Sequence, residues 1–269
     1  MTTFNPNELI FDRIRAVEEY DLATNELLRR YTQVKEPNLQ TSKEGQDVTD
    51  ALGAPIHTFY RNPQGTFSFT NALHSLDLMA SQFGTTKNIG SAEKKKQIPV
   101  SETLEIASDN TVTLSYVPVG VKGAEIKYVK IITHSNTFGE TYTLSPSTAE
   151  GSTFTLNAAE KKITLPTGVT GRVFVNYTRE TEKGASISYN AEGDTQVVKL
   201  LIHAIFRDPC NSNIVYAGVI QCPRAQIDPT SIDVNLASDA GHAASYKLRK
   251  PYCDDSSKVN LFDILVAGE

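Results

Sequence analysis

The sequence predicts a mainly β protein in two parts: a discontinuous β domain formed by residues 1–98 and 187–269, and a β-sandwich inserted at 99–186. Three observations carry this. Seven short strand-like segments, separated by Gly, Pro, Asn and Ser clusters, fall between Pro99 and Ser186. The segments on either side look incomplete without each other, with one amphipathic helix and a hairpin before the block and a long apolar run after it. A block that folds alone is tolerated where a host domain exposes its chain.

The opening segment fits two templates. Ile10, Phe11, Ile14, Ala16 and Val17 roughly make a helical stripe, whereas Arg13–Glu18 alternates polar and apolar. Leu27–Val34 is placed to fold back across a turn at Ala23–Glu26. Periodicity alone does not decide so short a case. The hairpin is the reading adopted here, with Pro37 ending its second strand. Ser42–Asp50 is polar and is expected to be a loop, Ile56–Tyr60 and Thr66–Phe69 to be strands, and Asn62–Gly65 to turn between them. A helix follows, capped by Thr70 or Asn71. Its stripe of Leu73, Leu76, Met79, Ala80 and Phe83 is expected to dock on a sheet, and Gly84 to close it.

In the inserted block the strand candidates are Leu104–Ile106, Val112–Tyr116, Ile126–Ile131, Tyr142–Leu144, Phe154–Leu156, Ile163–Leu165 and Val173–Tyr177. Their number and spacing match an immunoglobulin-like sandwich without the Cys-Trp-Cys core of antibody domains. Val197–Phe206 is a strand buried on both faces or a core helix, stopped by Asp208-Pro209. Ile214–Gln221 pairs back across Asn211–Asn213. Ala225–Asp228, Ile232–Leu236, Ser245–Leu248 and Leu261–Val266 alternate again.

Composition bounds the function. The chain has 269 residues, 39% hydrophobic and 21% charged, with net charge −5. These are the values of a folded globular protein, and they lack the dense basic face of a tight nucleic-acid binder. Lys94–Lys96 is a solvated linker on this reading. No stretch reaches the ~20 apolar residues of a membrane helix, and Met1–Pro6 lacks the pattern of a secretory signal. Cys210, Cys222 and Cys253 form no CxxC pair and are expected to be free thiols, although Cys210 and Cys222 flank one hairpin.

A search for chemistry finds no catalytic, cofactor-binding or metal-binding residues to nominate. His57, His74, His134, His203 and His242 are scattered, outside HExxH or zinc spacing. His203, in an apolar run, is expected to be a hydrogen-bonded core or interface histidine. His242 and Cys253 lack a third aligning group. Asp228, Asp233, Asp239, Asp254 and Asp255 lie near turns but outside the EF-hand pattern. Asn176-Tyr177-Thr178 is a glycosylation sequon, irrelevant without secretion.

Several segments in order carry a resemblance: Thr24–Leu28, Val48–Gly53 and Thr66–Leu73 running into the helix, then Ala204–Pro209, Ile220–Ala225 and a stretch ending Tyr252-Cys253. The two scaffold halves resemble the major tail tube proteins of long-tailed bacteriophages, particularly versions with an immunoglobulin-like insertion. The resemblance implies a tail-tube-type β-sandwich or half-barrel with one flanking helix. It implies stacked, hexameric rings, with strands joined into an inner barrel, serving as a conduit for DNA ejection in the virion tail. The protein would be made in the bacterial cytoplasm and need no cofactor. Its partners would be itself, other tail proteins such as the tape measure or sheath, and DNA in passage, with no membrane and no enzymatic activity. Two other classes compete: a capsid decoration or accessory virion protein, and a carbohydrate-binding or adhesin module displaying Tyr128, Tyr142 and Tyr177.

Overall fold

The computed structural model describes residues 4–133, 135–211, 213–230, 232, 234, 241–252 and 260–268. Among these the chain forms seventeen strands and one short helix, and it divides into two compact units, 1–87 with 187–269 and 88–186.

The discontinuous unit is one large antiparallel sheet. Strands β1 (Ile10–Asp21), β2 (Leu27–Tyr31), β3 (Val34–Thr49) and β4 (Pro55–Asn71) come from the first half of the chain. Strands β14 (Val197–Arg207), β15 (Val215–Ile227), β16 (His242–Leu248) and β17 (Asp263–Ala267) come from the second. The order is β2-β1-β14-β15-β16-β4-β3, with β17 also pairing β15 below β16. β3 comes back against β1, so the sheet curls towards a barrel. Its concave side holds the core, including Val17, Tyr31, Phe67, Phe69, Leu200, Ile202, Ile227 and Tyr246. The apolar run is a strand, not a helix, and its inward residues Val198, Leu200, Ile202 and Ala204 alternate with half-buried ones.

The opening hairpin forms as the alternation indicated. Asp21 accepts bonds from the backbone of Ala23 (2.8 Å) and Thr24 (3.0 Å), and Asn25 takes the left-handed conformation (φ 55°) that closes the turn. Three expectations fail together. Ser42–Asp50 is not a loop, Asn62–Gly65 is not a turn, and Pro37 ends no strand, because β3 and β4 form one continuous two-stranded ribbon. The punctuating residues make bulges instead. The β3–β4 register slips between Lys35 and Asn38, around Glu36 (φ 49°) and Pro37, and again opposite Asn62 (φ 51°) and Pro63. A bulge leaves one residue outside the ladder, where proline's missing N–H costs nothing. Pro223 sits at a third slip, so Ile214–Gln221 and Ala225–Asp228 merge into β15. Ile232–Leu236 lies mostly outside the described residues.

The helix α1 (Leu76–Gln82) is shorter than its sequence stripe and buries another face. Thr70 and Asn71 are still in β4, and the cap is Ser75, whose Oγ accepts from the Leu78 amide at 3.3 Å. Leu73 and Leu76 are 64% and 44% exposed, while Leu78, Ala80, Ser81 and Gln82 are buried. The docking face therefore carries two polar residues, which a search for apolar periodicity rejects. Gly84 does close the helix, with φ 62°.

The second unit holds β5 (Asn88–Ile89), β6 (Lys96–Glu105), β7 (Thr111–Thr113), β8 (Tyr128–Ile132), β9 (Phe138–Leu144), β10 (Thr153–Asn157), β11 (Lys162–Thr164), β12 (Arg172–Thr181) and β13 (Ala185–Ser186). Each of the seven segments nominated from sequence overlaps one of its strands. Seven are joined in the order β6-β12-β8-β9-β10-β11-β7 around a core of Val112, Leu114, Ile126, Val129, Phe154, Ile163, Val173 and Val175. β5 and β13 pair where the chain enters and leaves the unit. Lys96 and Pro99 belong to β6, which is an edge strand, where proline is tolerated.

Candidate functional site

The feature that stands out in the discontinuous unit is the distal half of the β3–β4 ribbon. From Ser42 and Gln64 outward its residues are exposed on both faces or nearly so. Asp50 holds the tip, accepting from the amides of Leu52 (2.9 Å) and Ala54 (2.8 Å), and Gly53 takes φ 86°. The pairs Glu44–Arg61, Gln46–Phe59 and Val48–His57 alternate with Gly45–Tyr60 and Asp47–Thr58, and alternate pairs project to opposite faces. One face carries a row in which the His57 and Phe59 rings meet edge to face at 4.7 Å and Arg61 lies over Phe59 at 5.6 Å. The other carries Tyr60, with the Thr58 hydroxyl donating to Asp47 at 2.6 Å. Val48, Leu52, Ile56, Phe59 and Tyr60 are all exposed. An isolated two-stranded ribbon is marginal in water, and this one spends its apolar side chains on surface the single chain leaves uncovered.

The strands beside the ribbon's inner half are joined by a buried polar network. Glu19, fully buried on β1, accepts from the hydroxyls of Tyr31 (2.9 Å), Tyr246 and Ser81 (3.2 Å) and pairs with Arg29 at 2.8 Å. This one carboxylate joins β1, β2, β16 and α1. Burial opposes the charge of Arg29, but Glu19 beside it outweighs that and raises the guanidinium's affinity for its proton. Burial, and then the Glu19 charge, push the phenols of Tyr31 and Tyr246 up, so both remain donors. A second clamp links Gln82 to β16. The Gln82 amide donates to the Ala243 carbonyl (2.8 Å), and its Oε1 lies 2.7 Å from His242 Nε2. Burial and the nearby His74 lower the His242 pKa. His242 is thus a core histidine; Cys253 lies outside the described residues.

On the convex face His203 is half-exposed and lies 3.0 Å from Glu18, which also accepts from Tyr20 (2.7 Å) and pairs with Arg30 (3.1 Å). Burial raises the Glu18 pKa, but these bonds and charges outweigh it and leave the carboxyl below its ordinary 4.5. Asp208 shapes the β14–β15 turn, accepting from the amides of Cys210 and Asn211 and from the Tyr216 hydroxyl. The Cys210 bond foremost holds it below its ordinary 3.8. For both, the folded value lies below the unfolded one. Their stabilisation is therefore complete above the unfolded values and lost as pH falls through the folded ones. Urea melts between about pH 7 and about pH 3 are expected to show stability dropping below about pH 4.5, and less in an Asp208→Asn variant.

The remaining residues singled out from sequence do not converge. Cys222 is buried, its thiol pushed up to about 12 by burial and by Asp263, while Cys210 is exposed; both are free. Asp228 accepts from Thr230 and pairs with Lys247, as a turn aspartate; Asp233, Asp239, Asp254, Asp255 and His134 lie outside the described residues. Of the tyrosines considered as sugar platforms, Tyr142 and Tyr177 are buried in the second unit's core and only Tyr128 is exposed. Among the described residues no group of three or more His, Cys, Asp or Glu is placed to hold a metal, and no helix is long and apolar enough to cross a membrane.

A search of curated proteins finds no match to the chain. The model of the YomU/Tube protein family matches residues 14–259, which takes in most of each half of the discontinuous unit and the whole of the second. The scaffold and its resemblance therefore agree: the chain belongs to the YomU/Tube protein family and fits a phage tail tube protein.

Proposed function

We propose that the protein assembles with copies of itself into closed rings, hexameric as in the tail tubes it resembles. Stacked, these rings form the hollow conduit through which phage DNA leaves the virion. The observation that carries this reading is the exposed β3–β4 ribbon, with Val48, Ile56, Phe59 and Tyr60 uncovered on it, in a member of a tube family. Heterologous contacts around an axis close a ring, and contacts along it propagate without limit. A ribbon that protrudes from its own sheet serves such a contact by laying Ile56, Phe59 and Tyr60 on a neighbour. Its ordering cost is largely met in the single chain, because the ladder is already formed.

The function on this reading lies in complementary surfaces and involves no catalysis. The second unit is a displayed, immunoglobulin-like module, and other tail proteins cap or fill the tube. DNA slides through without specific binding, in keeping with the net charge of −5. Light scattering on the purified chain across a concentration series tests it. Discrete large species, lost when residues 44–61 are replaced by a short Gly-containing turn, are expected. A full-length chain that stays monomeric at every concentration would favour the decoration-protein alternative.

A further inference from the structure

The net charge of −5 hides one local reversal. β16 closes on Lys247 and Leu248, and Arg249 and Lys250 follow directly. The register sets Ala225 of β15 opposite Leu248, so Arg224 stands across from Arg249, whose amide donates to the Arg224 carbonyl at 2.8 Å. Ala225 and Leu248 belong to the core, which turns Lys247 and Arg249 to the convex face. There Gln226 lies opposite Lys247 and accepts from the Arg249 guanidinium at 3.5 Å. Two cations facing each other on antiparallel strands repel, and the pairing costs stability.

No carboxylate relieves that cost. Among the described residues only Lys247 of these four cations has an acidic partner, Asp228 at 3.0 Å; Arg224, Arg249 and Lys250 have none. Glu44, on the neighbouring ribbon, is held by the Asn62 amide at 3.2 Å. Beside the cluster lies a cavity of about 510 Å³, lined by Gln64, Thr66, Lys247, Arg249 and Lys250, with Leu248 and Leu261 as its apolar part. Charge selects an anion for this place, and the neutral donors select among anions. Guanidinium forks, ammonium groups and the side chains of glutamine and threonine are the groups that contact phosphate oxygens. An acidic protein surface would gain little from such exposed pairs. Phosphodiesters repeated along a strand meet several cations at once and release their counterions.

We propose that Arg224, Lys247, Arg249 and Lys250 form a phosphate-binding site, and that its ligand is the phosphodiester backbone of the passing DNA. Such contacts read no bases, so they steady DNA without selecting a sequence. DNA as the source of the phosphate rests on the tube reading above; the phosphate chemistry itself does not. The test follows the anisotropy of a fluorescein-labelled duplex of about 20 base pairs with the full-length chain, from about 50 to about 200 mM NaCl. Arg224→Gln with Arg249→Gln is expected to weaken binding about tenfold at the lowest salt, and to flatten the slope of log K against log salt by about 1.8, or about 0.9 for each lost contact. Lys122→Gln with Lys183→Gln, the same loss of charge in the second unit, is expected to change neither. Urea denaturation without ligand is expected to find the double arginine variant at least as stable as the unsubstituted chain, because the facing charges no longer repel. Inorganic phosphate, exchanged for chloride at constant ionic strength, separates the two sources of the group. A thermal midpoint that phosphate raises in the unsubstituted chain but not in the arginine variant, without duplex binding, would keep the site and overturn DNA as its ligand. Duplex affinity and phosphate response both unchanged in the arginine variant would overturn the site. Loss of self-assembly in that variant with unchanged anion binding would overturn it too, making the cluster a contact between copies. Duplex binding through these arginines by a chain that forms no rings would support the site and count against the tube reading alone.

Discussion

Glu19→Ala is expected to destabilise the discontinuous unit by about 3–5 kcal/mol, the usual cost of removing one member of a buried ion pair. The change leaves the Arg29 guanidinium, itself largely buried, without a counter-charge, and strips the acceptor from Tyr31, Tyr246 and Ser81. Stranded donors of this kind are costlier than missing ones. The companion variant Glu19→Ala with Arg29→Met is accordingly expected to be more stable than Glu19→Ala alone. Chemical denaturation followed by tyrosine fluorescence measures both. Strict additivity of the two substitutions would show that the carboxylate and guanidinium are not coupled.

The second large effect separates two leucines one turn apart or less. Leu78→Asp puts an unpaired charge in the core beside Val17 and Phe69, and is expected to cost at least about 4 kcal/mol, cavity and desolvation together. Leu76→Asp is expected to change stability by only about 0.5–1 kcal/mol, because its side chain is already 44% exposed and an acidic residue suits the first helical turn. Thermal melting of the pair decides it. The apolar stripe read from sequence makes the opposite forecast, with Leu76 as the anchor, and equal damage from both substitutions would contradict the observed face of α1.

That reversal shows which parts of this protein are legible from residues alone. Alternation in β12, and short apolar runs bounded by turn residues in the inserted block, identify strands because each side chain's face follows from period two, whereas β1 and β14 fit both a strand and a helix until their pairing is seen. The helix misleads because its buried face uses Ser81 and Gln82 to reach Glu19 and Ala243 across more than sixty residues of sequence. No local pattern reports a hydrogen-bond partner that distant. The β3–β4 ribbon misleads for another reason. Pro37, Pro63 and Asn62 carry the chemistry of turns, and only a paired strand converts such residues into bulges. The polar stretch Ser42–Asp50 likewise has no core to pattern it, since both its faces point to solvent in the single chain. The surfaces on which function rests are those whose partner is another copy, and a single sequence carries their mark only as exposed apolar residues and unguarded edges.

The central claim is that this chain builds a hollow tube by itself. Negative-stain electron microscopy of the purified full-length protein, imaged over a rising concentration series, tests that most directly. Rings in end-on view with a stain-filled centre, and stacks of them in side view, are the expected result, with the number of subunits counted from the ring. Uniform monomeric particles at every concentration, or solid aggregates without a channel, would contradict it.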